Sequence, residues 1–251
     1  MKAFYIFLLL FVFSFSTIIP IDTLIDPSKF KIASLVDQII LVIPPSNTST
    51  DAMLFFYVKK NSKWEEHMET EAYIGEKGLG KTMEGDKKTP VGVYKFNRYF
   101  GINDNPGISL PYVKINESHY WDGDSKSKNY NTLVNNETYQ DFNISDSKHL
   151  IEMDPGYEYA LNIDYNEEQT PDKGSGIFLH CFTGKSYTDG GIAIDKYDLH
   201  SILREINEDC HIIIDTEQNM EKYTNNVRKS SSNFISNKIF LLIFFIFFLY
   251  I

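Results

Sequence analysis

Apolar positions along the chain come in short runs separated by polar stretches that hold the turn-forming residues. Asp37-Gln38-Ile39-Ile40-Leu41-Val42-Ile43 is a β-branched run stopped by Pro44-Pro45, and Ala52-Met53-Leu54-Phe55-Phe56-Tyr57-Val58 repeats the style before charged residues that lead to Trp64. Runs this short and this rich in β-branched residues predict buried strands, here a turn-joined pair. Further strands are expected over 91–96, 157–165, 177–181 and 211–215. One helix is marked by Leu199, Ile202, Leu203 and Ile206 at helical spacing, with Asp195 as N-cap and Ile194 and Leu199 placed to staple across it. The expected fold is mainly β with one or two helices.

Residues 101–148 break this rhythm. The stretch is polar, rich in Asn, Asp and Ser, and interrupted by aromatic pairs such as Tyr120-Trp121. A long segment of weak periodicity inside a compact domain predicts a lid-like or binding loop, and its aromatics offer burial to offset the entropy of ordering it.

The two ends carry a different pattern. Residues 4–13 form an apolar run behind Lys2, followed by small residues at Ser14 and Ser16, so 1–16 reads as a signal peptide. Ser230-Ser231-Ser232 precedes a polar spacer and an apolar tail, 239–251, that would reach only about 20 Å as a helix against a hydrocarbon core of about 30 Å. Small residues, spacer and short tail match a glycosylphosphatidylinositol attachment signal with Ser230 as the candidate attachment residue, a retained tail anchor being the alternative. Residues 34–215 are expected to form one globular domain, and 216–238 a linker and spacer.

Charge and residue chemistry narrow the classes. The net charge of −10 and the lack of a basic run exclude a nucleic-acid partner of the usual kind. Asn47, Asn116, Asn136 and Asn143 each stand two residues before Ser or Thr with no intervening Pro, which makes them glycosylation acceptors in a secretory route. The two cysteines, Cys181 and Cys210, permit one disulfide in an oxidising compartment. His180, Cys181, Asp189 and His200 show no recognisable metal-ligand spacing, and no cofactor is implied.

Several ordered motifs give the chain a family likeness. Gly85-Asp86-Lys87-Lys88-Thr89-Pro90-Val91-Gly92-Val93-Tyr94, then Tyr120-Trp121 with Asp122 and Asp124, Tyr130-Asn131, Tyr157-Glu158-Tyr159-Ala160, and Gly174-Ser175-Gly176-Ile177-Phe178-Leu179-His180 resemble the L,D-transpeptidase catalytic domain (YkuD) family, in particular its bacterial secreted branch. The resemblance implies a mainly β, sandwich- or barrel-like domain in which a histidine-activated cysteine thiolate attacks the peptide stem of peptidoglycan, forms a thioester, and passes the acyl group to an amine. Where the family reads Thr-x-Gly-Cys, this chain reads Thr188-Asp189-Gly190-Gly191. By that correspondence His180 holds the position of the base, Gly190 lies in the turn before the nucleophile, and Gly191 replaces the nucleophile itself.

Glycine cannot perform covalent catalysis, and the carboxylate of Asp189 disfavours an anionic intermediate beside it. The leading expectation is therefore a pseudoenzyme of the acyltransferase family that binds peptide or cell-wall glycopeptide at the extracellular face of the plasma membrane. Tyr120, Trp121 and Asp189 are the candidate ligand contacts. An active transpeptidase using Cys181 as a relocated nucleophile is the alternative, although Cys181 follows His180 on a strand and should face away from it. Thr188 offers only a hydroxyl, which needs stronger activation than a thiol. A glycosylated adhesion or coat protein is the second alternative.

Overall fold

The computed structural model describes residues 25–225. The expected signal peptide 1–16, the tail 239–251 and Ser230 lie outside them, as does the spacer beyond residue 225.

Strand β1 (Gln38–Ile43) is buried along its whole length because both of its faces are covered. Ile40 and Val42 join one core cluster, while Ile39, Leu41 and Ile43 join a second. β2 (Asp51–Lys60) divides in the same way, with Leu54, Phe56 and Val58 on the first side and Phe55 and Tyr57 on the second. Alternation along a pleated strand thus turns one continuous apolar run into two packing faces. The second face is covered by Phe30, Ala33 and Val36 ahead of β1 and by Met220 after the last strand.

β1 pairs antiparallel with β2, as the turn-joined reading expects, and parallel with β12 (His211–Ile214). β3 (Lys63–Tyr73) continues from β2 as a long hairpin. The remaining strands are β4 (Gly92–Gly101), β5 (Tyr112–Lys114), β6 (His119–Trp121), β7 (Leu133–Asn135), β8 (Lys148–His149), β9 (Ala160–Ile163), β10 (Phe178–Cys181) and β11 (Ile192–Ile194). The large sheet runs β12-β1-β2-β3-β11-β10-β9-β4-β5, and a further β12–β4 pairing joins it back on itself. Eight strands therefore close into a barrel-like ring with β5 added outside β4. Closure leaves few unpaired edges.

Helix α1 (Lys196–Glu205) packs Leu199, Ile202 and Leu203 into the first core cluster. Asp195 caps it by accepting from the Tyr197 and Asp198 amides. Ile194 is buried in the same cluster as Leu199. The mainly β fold with a single α-helix among the described residues agrees with the expectation from sequence.

Two expectations need correction. The segment 101–148 is no open loop: it contributes β5, β6 and β7, reaches β8 at its end, and forms a three-stranded sheet β7-β6-β8. Its aromatics explain the difference, since Trp121 packs with Phe100 and Phe178 in a third core cluster completed by Ile115, Leu150, Tyr157 and Ala160. The strand expected over 157–165 is shorter, because residues 157–159 lie in a turn and pairing begins at Ala160.

Candidate functional site

A cleft of about 480 Å³ opens where β10, the turn before β11, the loop 81–91 and the segment 148–157 meet. His180 lines it, and Leu179 and Cys181 do not, because successive side chains of β10 point to opposite faces. Leu179 and Cys181 enter the main core, and Phe178 packs under the cleft in the third cluster.

His180 is 6% exposed and its Nδ1 lies 2.9 Å from the carbonyl oxygen of Cys181. A carbonyl can only accept, so Nδ1 carries the proton and Nε2 keeps its lone pair. Burial, reinforced by the positive charge of Lys148, lowers the pKa to about 4. The imidazole is neutral at ordinary pH. Its ring meets Tyr157 edge-on, centroids 5.4 Å apart.

Gly191 stands directly against this ring. A Cβ at that position would lie 3.1 Å from His180 Nε2 and 2.7 Å from the carbonyl oxygen of Phe178, too close for any side chain without a backbone shift. Gly190 has φ +135°, where only glycine is relaxed, and a Cβ on it would meet the Lys88 carbonyl oxygen at 2.8 Å.

Two buried threonines hold the turn. Thr188 Oγ1 accepts from the Gly190 amide at 3.0 Å and donates to the Gly191 carbonyl at 2.7 Å. Thr89 Oγ1 accepts from the Gly75 amide at 2.9 Å and donates to the same carbonyl at 3.3 Å. Both hydroxyls are spent on backbone, so neither is free to act as a nucleophile.

The Gly85-Asp86 motif is built to the same end. Asp86 accepts from the amides of Thr82, Met83 and Lys88 and from Lys81 Nζ at 3.0 Å, with the two side chains 11% and 2% exposed. Burial alone would raise the carboxyl pKa, but these donors hold it below the ordinary range. The Tyr130-Asn131 pair anchors the opposite wall: Tyr130 hydroxyl donates to Glu84 Oε2 and accepts from the Gly174 amide, and Asn131 Oδ1 accepts from Trp121 Nε1 and the Gly176 amide.

The structure therefore brings together His180, Thr188, Asp189 and Gly191 around one cleft. Tyr120 and Trp121 are not on its wall. Tyr120 stacks on His149 at 4.4 Å, and Trp121 is buried beneath the floor with Phe178, each satisfied by aromatic packing. Cys181 and Cys210 are both free and buried, so the disulfide that two cysteines would permit is not formed between them. Cys181 Sγ points to the Tyr159 carbonyl, and burial pushes its thiol up to about 12, the reverse of what a nucleophile needs. Cys210 is likewise raised by burial.

Among the acceptor asparagines, Asn47, Asn116 and Asn143 are exposed and Asn136 is half-buried. Sequence reasoning missed Lys148 and Tyr157 as parts of the site, because a lysine at the end of a polar stretch carries no periodic signal of its own.

Residues 39–227 match the family model described as the L,D-transpeptidase catalytic domain (YkuD). The chain belongs to that family. Among solved structures it is similar to the helical cell shape determining protein Pgp2 from Campylobacter jejuni (18% identity, 72% of this chain and 48% of that one, TM-score 0.39). It is also similar to Bdellovibrio bacteriovorus Bd1075 (17%, 74% and 50%, TM-score 0.38) and to Mycobacterium tuberculosis L,D-transpeptidase 1 (12%, 71% and 61%, TM-score 0.30). The matched region spans about half the length of the first two chains. No curated protein sequence matches this chain.

Proposed function

We propose that this chain is a catalytically silent member of the L,D-transpeptidase family that uses its cleft to bind a peptide or cell-wall glycopeptide at an extracellular surface. The observation that carries the reading is the bare backbone at Gly191. The position that resembles the family nucleophile has no side chain, and the carbonyl of Phe178 occupies the space a Cβ would need. His180 keeps a lone pair on Nε2 but has no thiol to activate. Cys181, the one sulfur nearby in sequence, is turned into the core.

The amino-terminal apolar run, the short tail and Ser230 support a secretory route ending in a lipid anchor. The exposure of Asn47, Asn116 and Asn143 supports their glycosylation. Titrating the purified protein with a peptidoglycan stem tetrapeptide, followed by intact mass measurement, tests both halves. Saturable binding without an acyl adduct is expected. An adduct that disappears in Cys181→Ala would overturn catalytic silence, and no binding at millimolar peptide would overturn the binding role.

A further inference from the structure

His149 ends β8 and leads into the short 3-10 turn Leu150–Met153, whose Glu152 and Met153 form part of the cleft wall. Its ring lies flat against Tyr120 of β6, with centroids 4.4 Å apart and planes within 8°. Both ring nitrogens are engaged. Nε2 lies 2.9 Å from the carbonyl oxygen of Glu117, in the turn ahead of β6, and Nδ1 lies 3.0 Å from Glu152 Oε1.

A carbonyl and a carboxylate can only accept, whereas a neutral imidazole has a single N–H to give. The pair of contacts therefore needs both nitrogens protonated, and the arrangement belongs to the imidazolium. Burial opposes the charge, but hydrogen bonds to Glu152 and the Glu117 carbonyl, with the negative charge of both residues, outweigh it and hold the pKa above the ordinary 6.5. Glu117 and Glu152 are the charged groups that face the ring from the elements packed on it. Lys148, one residue earlier on β8, turns to the other side of the strand and reaches the cleft. His119 on β6 spends its Nδ1 on the Asn116 amide, and burial lowers its own pKa.

Loss of one proton leaves a ring that can serve one of its two acceptors. The Glu117 carbonyl is fixed in the backbone, while the Glu152 side chain is 73% exposed and water can take it over. Glu152 is then the partner released, because its oxygen would otherwise face a lone pair on Nδ1. We propose that His149 is a pH-operated latch on the cleft wall: the imidazolium joins Glu152 to the turn ahead of β6 and holds residues 150–153 in place, and the neutral ring lets that wall loosen.

The sign follows from the raised folded value. The added stabilisation is fully present below about 6.5, the unfolded value, and is lost as pH rises through the higher folded one. The wall is therefore firmest under mildly acidic conditions. That the latch also tunes ligand affinity rests on the reading of the cleft as a peptide site, whereas the latch itself does not.

NMR on the whole protein, followed from about pH 5.5 to about 9, reads the latch without a ligand. The His149 ring should titrate above 6.5, and backbone order parameters of residues 150–153 should fall across the same midpoint. Glu152→Gln keeps the shape and drops the charge, so it should lower that midpoint by about 0.5 and leave the order parameters insensitive to pH. A midpoint at or below 6.5, a midpoint unmoved by Glu152→Gln, or order parameters that stay constant through it would each overturn the proposal. By calorimetry, an N-acetylated stem tetrapeptide should bind the unaltered protein about threefold more tightly at about pH 6 than at about pH 8.5, and equally at both in Glu152→Gln. His180 stays neutral across that window, its pKa being about 4. Equal affinity in the unaltered protein would overturn control of the ligand while leaving the latch, and no binding at either pH would remove the peptide reading while the NMR titration still decides the latch.

Discussion

The loop from Lys81 to Val91 and the turn from Thr188 to Gly191 converge on one carbonyl oxygen yet carry different cargo. The loop is tied together by two side chains: Asp86 serves three amides and a buried ammonium, and Thr89 bridges Gly75 to Gly191. The turn is held as firmly by Thr188, but the residue at its apex presents only backbone to His180. Framework and reactive group are therefore separable.

The sharpest way to break this contrast is Asp86→Ala. It strands the buried Lys81 ammonium and takes the acceptor from three amides, so urea denaturation should show a loss of about 3–5 kcal/mol. Next in size is a pH effect centred on His180. Its folded pKa is depressed, so the stabilisation is present above the ordinary histidine value of 6.5 and is lost as pH falls towards 4, where the unfolded chain binds a proton that the folded chain refuses. The loss should reach up to about 3 kcal/mol across that window and be absent from the matching curve of His180→Asn.

Gly191→Cys separates scaffold from chemistry most directly. Crowding against the Phe178 carbonyl should cost about 1–3 kcal/mol by the same denaturation assay. Mass spectrometry should detect no thioester with the stem peptide, and a stable, acylated variant would show that the site needs only its sulfur restored. The smallest effect is expected for Thr89→Val, which leaves the Gly75 amide without its acceptor but spares the second hydroxyl on Gly191, at about 1–2 kcal/mol.

Much of the barrel was legible because its strands are apolar on both faces. β1, β2, β10 and β12 announce themselves as β-branched or aromatic runs, and Asp195 with Leu199, Ile202 and Leu203 marks the helix by period alone. β3 escaped notice for the opposite reason: Lys63–Tyr73 alternates charged residues on a largely exposed hairpin arm, and its strand character comes from pairing with β2. Tyr120 and Trp121 misled because an aromatic in a polar stretch looks like a contact residue until its neighbours are known, and here those neighbours are His149, Phe100 and Phe178. In the site, parity along β10 separated His180 from Cys181 correctly. Lys148 was invisible, since only tertiary packing brings it to the cleft wall against Tyr157.

The two ends of the described chain meet beside the barrel. Phe30 bridges Thr224 in antiparallel fashion, the Asn225 amide donates to the Lys29 carbonyl, and Lys31 reaches the Lys222 carbonyl. Tension applied between these ends would peel that contact one bond at a time, like a zipper. The next pair reached, β1 and β12, runs parallel, so the same pull acts at opposite ends of the two strands and loads their bonds together in shear. A weak outer clasp thus stands in series with a strong inner one, so the two ends can part under load before the barrel and its cleft are strained.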